Sequence, residues 1–215
     1  MLLLGAHCDD IEIGCGGTLL RMAPTLSETI VHWVVFSSTK EREDEAHRAA
    51  KAFAGSAALL DVRVHRFQNG YFPAQRSVIK DLFESLKFEL DPQVIFCHQK
   101  EDLHQDHRLI GELCWNTFRD HLIMEYEIPK YDGDLGNPNV FVPIDSSICE
   151  EKARLILKHF PSQRDKQWFS NDTFHALARL RGIQAACPLA EAFYCRKLQL
   201  DFGAPSALHG HSCLT

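Results

Sequence analysis

The chain alternates short continuous apolar runs with longer stretches in which apolar positions recur every three or four residues. The runs at residues 1–6, 29–36 (TIVHWVVF), 94–97 and 122–128, rich in aliphatic, β-branched and aromatic side chains, predict four strands, and the alternation of apolar and polar residues over 59–67 predicts another. Between them, residues 41–54 have helical composition, with Gly55 placed for a C-cap. Residues 77–90 put Val78, Ile79, Leu82, Phe83, Leu86 and Leu90 on one helical face, and Asp91-Pro92 ends that helix. Residues 105–119 predict another helix. Gly14, Gly16 and Gly17 predict a turn after the first strand, followed by a short helix over 18–22 that Pro24 closes.

Strand and helix therefore alternate through residue 128, which implies an α/β fold: a parallel sheet flanked by helices on both faces. Residues 129–143 break the pattern with Pro, Gly, Asn and Asp and predict a long ordered loop holding a short strand at 140–142. Two more helices are expected at 148–160 and 174–183, then a last strand or extended arm at 192–200. The length of 215 residues favours one domain, spanning 1–202. The Gly, Pro, Ser and His content of 203–215 predicts a flexible tail.

Two polar clusters stand at the ends of predicted strands. The first strand leads directly into His7-Cys8-Asp9-Asp10-Ile11-Glu12, and the fourth in chain order is followed by His104-Gln105-Asp106-His107. An imidazole and three carboxylates at the end of a buried strand cost stability unless something pairs with them, and a divalent metal would. In open α/β sheets ligands bind at the carboxyl ends of strands, and strands one and four are neighbours in the common orders, so the clusters are expected to meet. A catalytic zinc takes three protein ligands and keeps one position for water, whose pKa it lowers. His7, Asp10 and His107 supply three ligands and leave Asp9 beside the water as a general base. His104 could donate a proton or stabilise an oxyanion, and Asp106 could orient a histidine. His98, at the end of the fourth strand, reads as a hydrogen-bonded core histidine.

Composition narrows the remaining classes. A formal charge of −6 argues against nucleic acid as the partner, and 45% hydrophobic against 24% charged residues suits a buried core. No apolar run reaches the length of about 18 residues that a membrane span needs. Eight cysteines, none in a C-x-x-C pair, predict free buried thiols in a reducing cytoplasm.

Ala6-His7-Cys8-Asp9-Asp10-Ile11-Glu12 resembles the A-H-P-D-D-x-E signature of the LmbE/PIG-L family of zinc-dependent N-acetyl-sugar deacetylases. His104-Gln105-Asp106-His107-Arg108 resembles its H-P-D-H-R, Asp102 fits a D-x-H-x-D-H form, and Arg42 to Glu45 is similar to its R-x-x-E. Arg181-Gly182 and Ala190-Glu191-Ala192-Phe193 resemble its later R-G and A-E-A-F. The resemblance implies a Rossmann-like domain with a smaller C-terminal extension completing the pocket. It implies zinc, or another divalent ion such as iron or cobalt, on His7, Asp10 and His107, with Asp9 as the base. His104 would assist the intermediate and the leaving amine, and Arg42 would lie near the acyl oxygen. The substrate would be a small N-acetylated sugar or conjugate. Self-association as a trimer or hexamer would also follow. Cys8 and Gln105 stand where the family carries proline; neither costs a ligand.

Other readings stay open. The same metal chemistry would serve another N-acyl substrate, and the loop 129–143, with Tyr126, Tyr131, Asp132 and Asp134, is expected to shape the pocket. A non-catalytic metal- or nucleotide-binding module is the third reading. Against nucleotide, the third glycine position after Gly14-x-Gly16 holds Leu19.

Overall fold

Leucine fills three of the four positions of the first strand, β1 (Leu2–Gly5), and every residue of that strand is buried. That is the signature of a central parallel strand, covered on both faces. The computed structural model describes residues 1–200. The tail expected at 203–215 lies outside the described residues. In chain order the elements after β1 are α1 (Asp10–Leu26), β2 (Ile30–Val35), α2 (Lys40–Ala54), β3 (Leu59–Val64), α3 (Arg76–Glu89), β4 (Val94–His98) and α4 (Gln105–Thr117). They are followed by β5 (Leu122–Tyr126), β6 (Val140–Pro143), α5 (Ser146–His159), α6 (Asn171–Gln184) and β7 (Ala190–Tyr194).

The seven strands form one sheet in the order β3-β2-β1-β4-β5-β7-β6. β1 to β5 run parallel, and β7 is antiparallel to both β5 and β6. Successive side chains of a strand point to opposite faces. Leu3 accordingly joins the core under α1, α2 and α5, while Leu2 and Leu4 join a second core under α3 and α4. β1 pairs directly with β4, Leu2 opposite Ile95 and Leu3 opposite Phe96. The loops leaving these two strands therefore share one edge of the sheet.

The expected turn at Gly14, Gly16 and Gly17 does not form. α1 begins at Asp10, runs through all three glycines and contains Pro24 rather than ending before it. The reason is close packing. A Cβ on Gly14 would lie 2.3 Å from the Tyr126 ring, and one on Gly16 would lie 2.7 Å from Phe53. Each glycine weakens a helix by up to about 1 kcal/mol, a cost that close approach of large buried rings offsets. The last strand is also shorter than expected and shifted: β7 ends at Tyr194, and residues 195–200 carry no regular structure.

Candidate active site

His7 and Asp9 follow β1, and Asp10 opens α1 with Asp9 as its N-cap residue. Across the shared sheet edge, His104 is the N-cap of α4, and Asp106 and His107 lie in that helix's first turn. The two clusters meet. His7 Nδ1 is 3.0 Å from His107 Nε2, His7 Nδ1 is 3.4 Å from Asp10 Oδ2, and His107 Nε2 is 3.5 Å from Asp10 Oδ1. The His7 N–H also donates to Asp10 Oδ2 at 2.6 Å, which fixes that carboxylate.

These separations suit a metal. Donor atoms about 2.0–2.1 Å from a tetrahedral zinc lie about 3.3 Å from one another. The other nitrogen of each histidine is held by a carboxylate. His7 Nε2 is 3.3 Å from Asp106 Oδ2, and His107 Nδ1 is 3.1 Å from Asp102 Oδ2. Metal-binding histidines characteristically have such partners, which set the tautomer and aim the ring. Asp106 is itself anchored, accepting the N–H of Gly70 at 2.6 Å and of Phe72 at 3.1 Å. The nitrogens of His7, His104 and His107 lie within 4.8 Å of one another, and so do donor atoms of Asp10, His98 and His107.

The two histidines are perturbed in opposite directions. Burial alone pulls the His7 imidazole down, but Asp10, Asp106 and Asp9 outweigh it and raise its pKa to about 9. Burial and the adjacent His98 push His107 down to about 3, leaving it in the neutral form that metals bind. Burial would raise Asp10, yet His107, His98 and His7 hold its carboxyl well below the ordinary range. Asp102 is held low against burial by His107 and Lys130. Glu12 behaves differently: it is fully buried, neither oxygen has a hydrogen-bond partner among the described residues, and burial pushes its pKa well up.

Asp9 stands beside the cluster, and its Oδ1 accepts from Arg42 Nη2 at 2.7 Å. Thr39 caps α2 by accepting the Arg42 N–H, which starts the helix where Arg42 faces the site. His104 Nδ1 accepts the Asp106 N–H at 3.3 Å, so its neutral ring carries hydrogen on Nε2. Burial and the nearby His7 lower its pKa. A cleft of about 210 Å³ opens over these groups, bounded by Asn69, Tyr131, Asp132 and Trp168. A water occupies about 30 Å³ of liquid, so the cleft admits a small molecule.

The structure thus brings together His7, Asp9, Asp10, Arg42, His104, Asp106 and His107. The sulfur of Cys8 turns away from them and donates to Ser38 Oγ at 3.2 Å. Of the residues expected to shape the pocket, Tyr131 and Asp132 line it. Tyr126 is instead buried with its hydroxyl on Leu4 O, because its ring fills the space above Gly14. Asp134 is spent on Lys130 Nζ at 2.5 Å and the Leu103 N–H at 2.8 Å. His98 is buried and hydrogen-bonded as expected, accepting from the Ala6 N–H at 3.0 Å. It also stacks on His107 with ring centroids 4.0 Å apart and lies 3.1 Å from Asp10 Oδ2. Lys130 was not anticipated. Its Nζ is 3.1 Å from Asp102 Oδ1, joining the loop after β5 to the carboxylate behind His107. A lone lysine in a loop carries no sequence signal for that role. Asp102 had one, its spacing of two residues before His104.

Residues 2–118 match the PIG-L family, described as GlcNAc-PI de-N-acetylase. The uncharacterized deacetylase YaiS of Escherichia coli (strain K12) is 27% identical over 169 residues, covering 74% of this chain and 89% of its own. Among solved structures, the N,N'-diacetylchitobiose deacetylase of Pyrococcus horikoshii superposes with a TM-score of 0.70 at 20% identity, covering 90% of this chain and 82% of the other. GalB of Pseudomonas putida KT2440, a 4-carboxy-2-hydroxymuconate hydratase, superposes with a TM-score of 0.73 at 16% identity, covering 94% and 98%. At these identities the structural likeness speaks for the fold alone.

Proposed function

The chain belongs to the PIG-L family, the GlcNAc-PI de-N-acetylases, and on that premise we propose that it is a metal-dependent amidohydrolase releasing acetate from an N-acetylated amino sugar or sugar conjugate. The observation that carries this reading is Asp9. It is a nearly buried carboxylate beside the His7–Asp10–His107 cluster that no ligand count requires.

Zinc is the metal we assign to His7, Asp10 and His107, and iron or cobalt would suit the same donors. When bound, it would polarise the acyl carbonyl and acidify a water in the cleft. Asp9 accepts the proton of the attacking water, with Arg42 holding Oδ1 so that Oδ2 is available. The water oxygen adds to the carbonyl carbon, and His104 Nε2–H donates to the developing oxyanion. The C–N bond then breaks, the proton taken by Asp9 passes to the departing amine, and acetate and a free amine leave. Asp106 and Asp102 hold His7 and His107 throughout. The family's description as GlcNAc-PI de-N-acetylase and the name of the structurally similar chitobiose deacetylase support a sugar-type substrate. Seven free thiols among the described residues support a reducing, cytoplasmic setting.

The test is acetate release from N-acetylglucosamine and N,N'-diacetylchitobiose by zinc-loaded protein, beside Asp9→Asn and His107→Ala. The wild type should turn over. Asp9→Asn should keep its metal and lose about 10²–10⁴ in kcat, and His107→Ala should lose metal. A wild type no more active than Asp9→Asn across a panel of N-acyl sugars, with metal bound to both, overturns the reading.

A further inference from the structure

In an uninterrupted α-helix the N–H of residue 17 bonds the carbonyl of residue 13. In α1 both groups are claimed from outside. Lys152 Nζ donates to the Ile13 carbonyl at 2.7 Å, while Glu191 Oε1 accepts the Gly17 N–H at 2.7 Å and Oε2 the Thr18 N–H at 2.6 Å. Lys152 and Glu191 are themselves paired at 2.6 Å and almost wholly buried. An ion pair thus bonds the helix backbone about one turn beyond Asp10. Gly17 makes room for it, since a Cβ there would lie 2.9 Å from Glu191 Oε1.

The segment just before this contact, from Asp9 to Ile13, carries the candidate base and the candidate metal-binding carboxylate. Lys152 comes from α5 and Glu191 from β7, both beyond the residues 2–118 that match the family. We propose that the Glu191–Lys152 pair is a positioning device, through which the C-terminal part of the chain fixes the start of α1 and so the placement of Asp10 against His7 and His107. This rests on the metal-centre reading above, with Glu191 acting through Asp10 and never touching substrate.

Either end of the contact can be altered: Glu191→Gln and Lys152→Met from the C-terminal side, Gly17→Ala from the helix. Phe83→Leu, in the core on the opposite face of the sheet, is the stability control. Each protein is loaded with Co²⁺, and its affinity by chelator competition, its visible ligand-field spectrum and its thermal midpoint are measured. Glu191→Gln and Gly17→Ala should weaken Co²⁺ binding about tenfold and alter the spectrum. Lys152→Met should do so in the same direction, and Phe83→Leu should lower the midpoint alone. Variants that lose only thermal stability, with wild-type affinity and spectrum, overturn the proposal and leave the pair a structural tie. A wild type that binds Co²⁺ with the expected variant pattern yet releases no acetate would sink the activity reading and leave this inference standing.

Discussion

Arg42 Nη2 and Asp9 Oδ1 sit 2.7 Å apart, joining the first turn of α2 to the N-cap of α1 in a setting where both side chains are largely buried. Burial disfavours the guanidinium charge, but Asp9 outweighs it and the net pKa of Arg42 is raised. The contact places the arginine on the candidate base. Arg42→Met should therefore lower kcat by about 10–100-fold with KM nearly unchanged, because it disorders the group that moves the proton. Arg42→Lys should recover part of the loss, since a lysine supplies the charge without the planar fork. Steady-state acetate release from an N-acetylated sugar measures this, and an unchanged kcat in Arg42→Met would count against Asp9 as the base.

Asp102 is fully buried and has one oxygen on His107 Nδ1 and the other on Lys130 Nζ. Removing it frees the His107 ring and strips one acid from a buried lysine, leaving Asp134 as the remaining partner. Asp102→Ala should weaken zinc binding by about 10–100-fold, the usual range for a carboxylate behind a metal-binding histidine. Competition with a chromogenic chelator gives the number, and wild-type affinity would mean that His107 does not need its partner.

Gly14→Ala should destabilise the fold by about 1–3 kcal/mol, the range for overpacking a tight core. The new methyl would meet the Tyr126 ring, which cannot retreat because its hydroxyl is bound to the Leu4 carbonyl at 2.6 Å. For a chain of this size the thermal midpoint should fall by several degrees. Gly70→Ala, where nothing lies within 4 Å but φ is +77°, tests backbone strain alone and separates the two effects. An unshifted midpoint in Gly14→Ala would refute the close-packing account of the helix.

The same glycine shows where sequence reading runs out. Gly14, Gly16 and Gly17 resemble a turn because glycine's local preference is all that the chain displays. What decides the matter is a ring from residue 126 and a carboxylate from residue 191, and the Gly17–Glu191 contact spans 174 positions. The five parallel strands were legible because each is mostly apolar or alternates apolar with polar residues, and both signals are local. The meeting of His7 with His107 was legible because strand order in such sheets is constrained. Lys130 and the Glu191–Lys152 pair were not, since a single polar residue without periodic neighbours has no pattern that reports its partner.

Cys8 lies between a candidate ligand and the candidate base, so its protonation bears on whether sulfur competes for metal. Burial pushes its thiol up to about 12, outweighing the Ser38 hydrogen bond and the charge of Arg42. Only the thiolate binds metal or attacks an alkylating agent. In the unfolded chain a cysteine ionises near about 8.5. The neutral folded thiol thus contributes stability that is fully present below that pH and is lost as pH rises towards about 12. At pH 8 the native protein should leave Cys8 unlabelled by iodoacetamide while the partly exposed Cys187 and Cys195 react. Denaturant should expose Cys8 to labelling at the same pH, as peptide mapping would show. Cys8→Ser should bind zinc with wild-type affinity. Rapid native labelling of Cys8 would refute the buried neutral thiol, and a large loss of zinc in Cys8→Ser would place the sulfur among the metal's ligands and change the donor set.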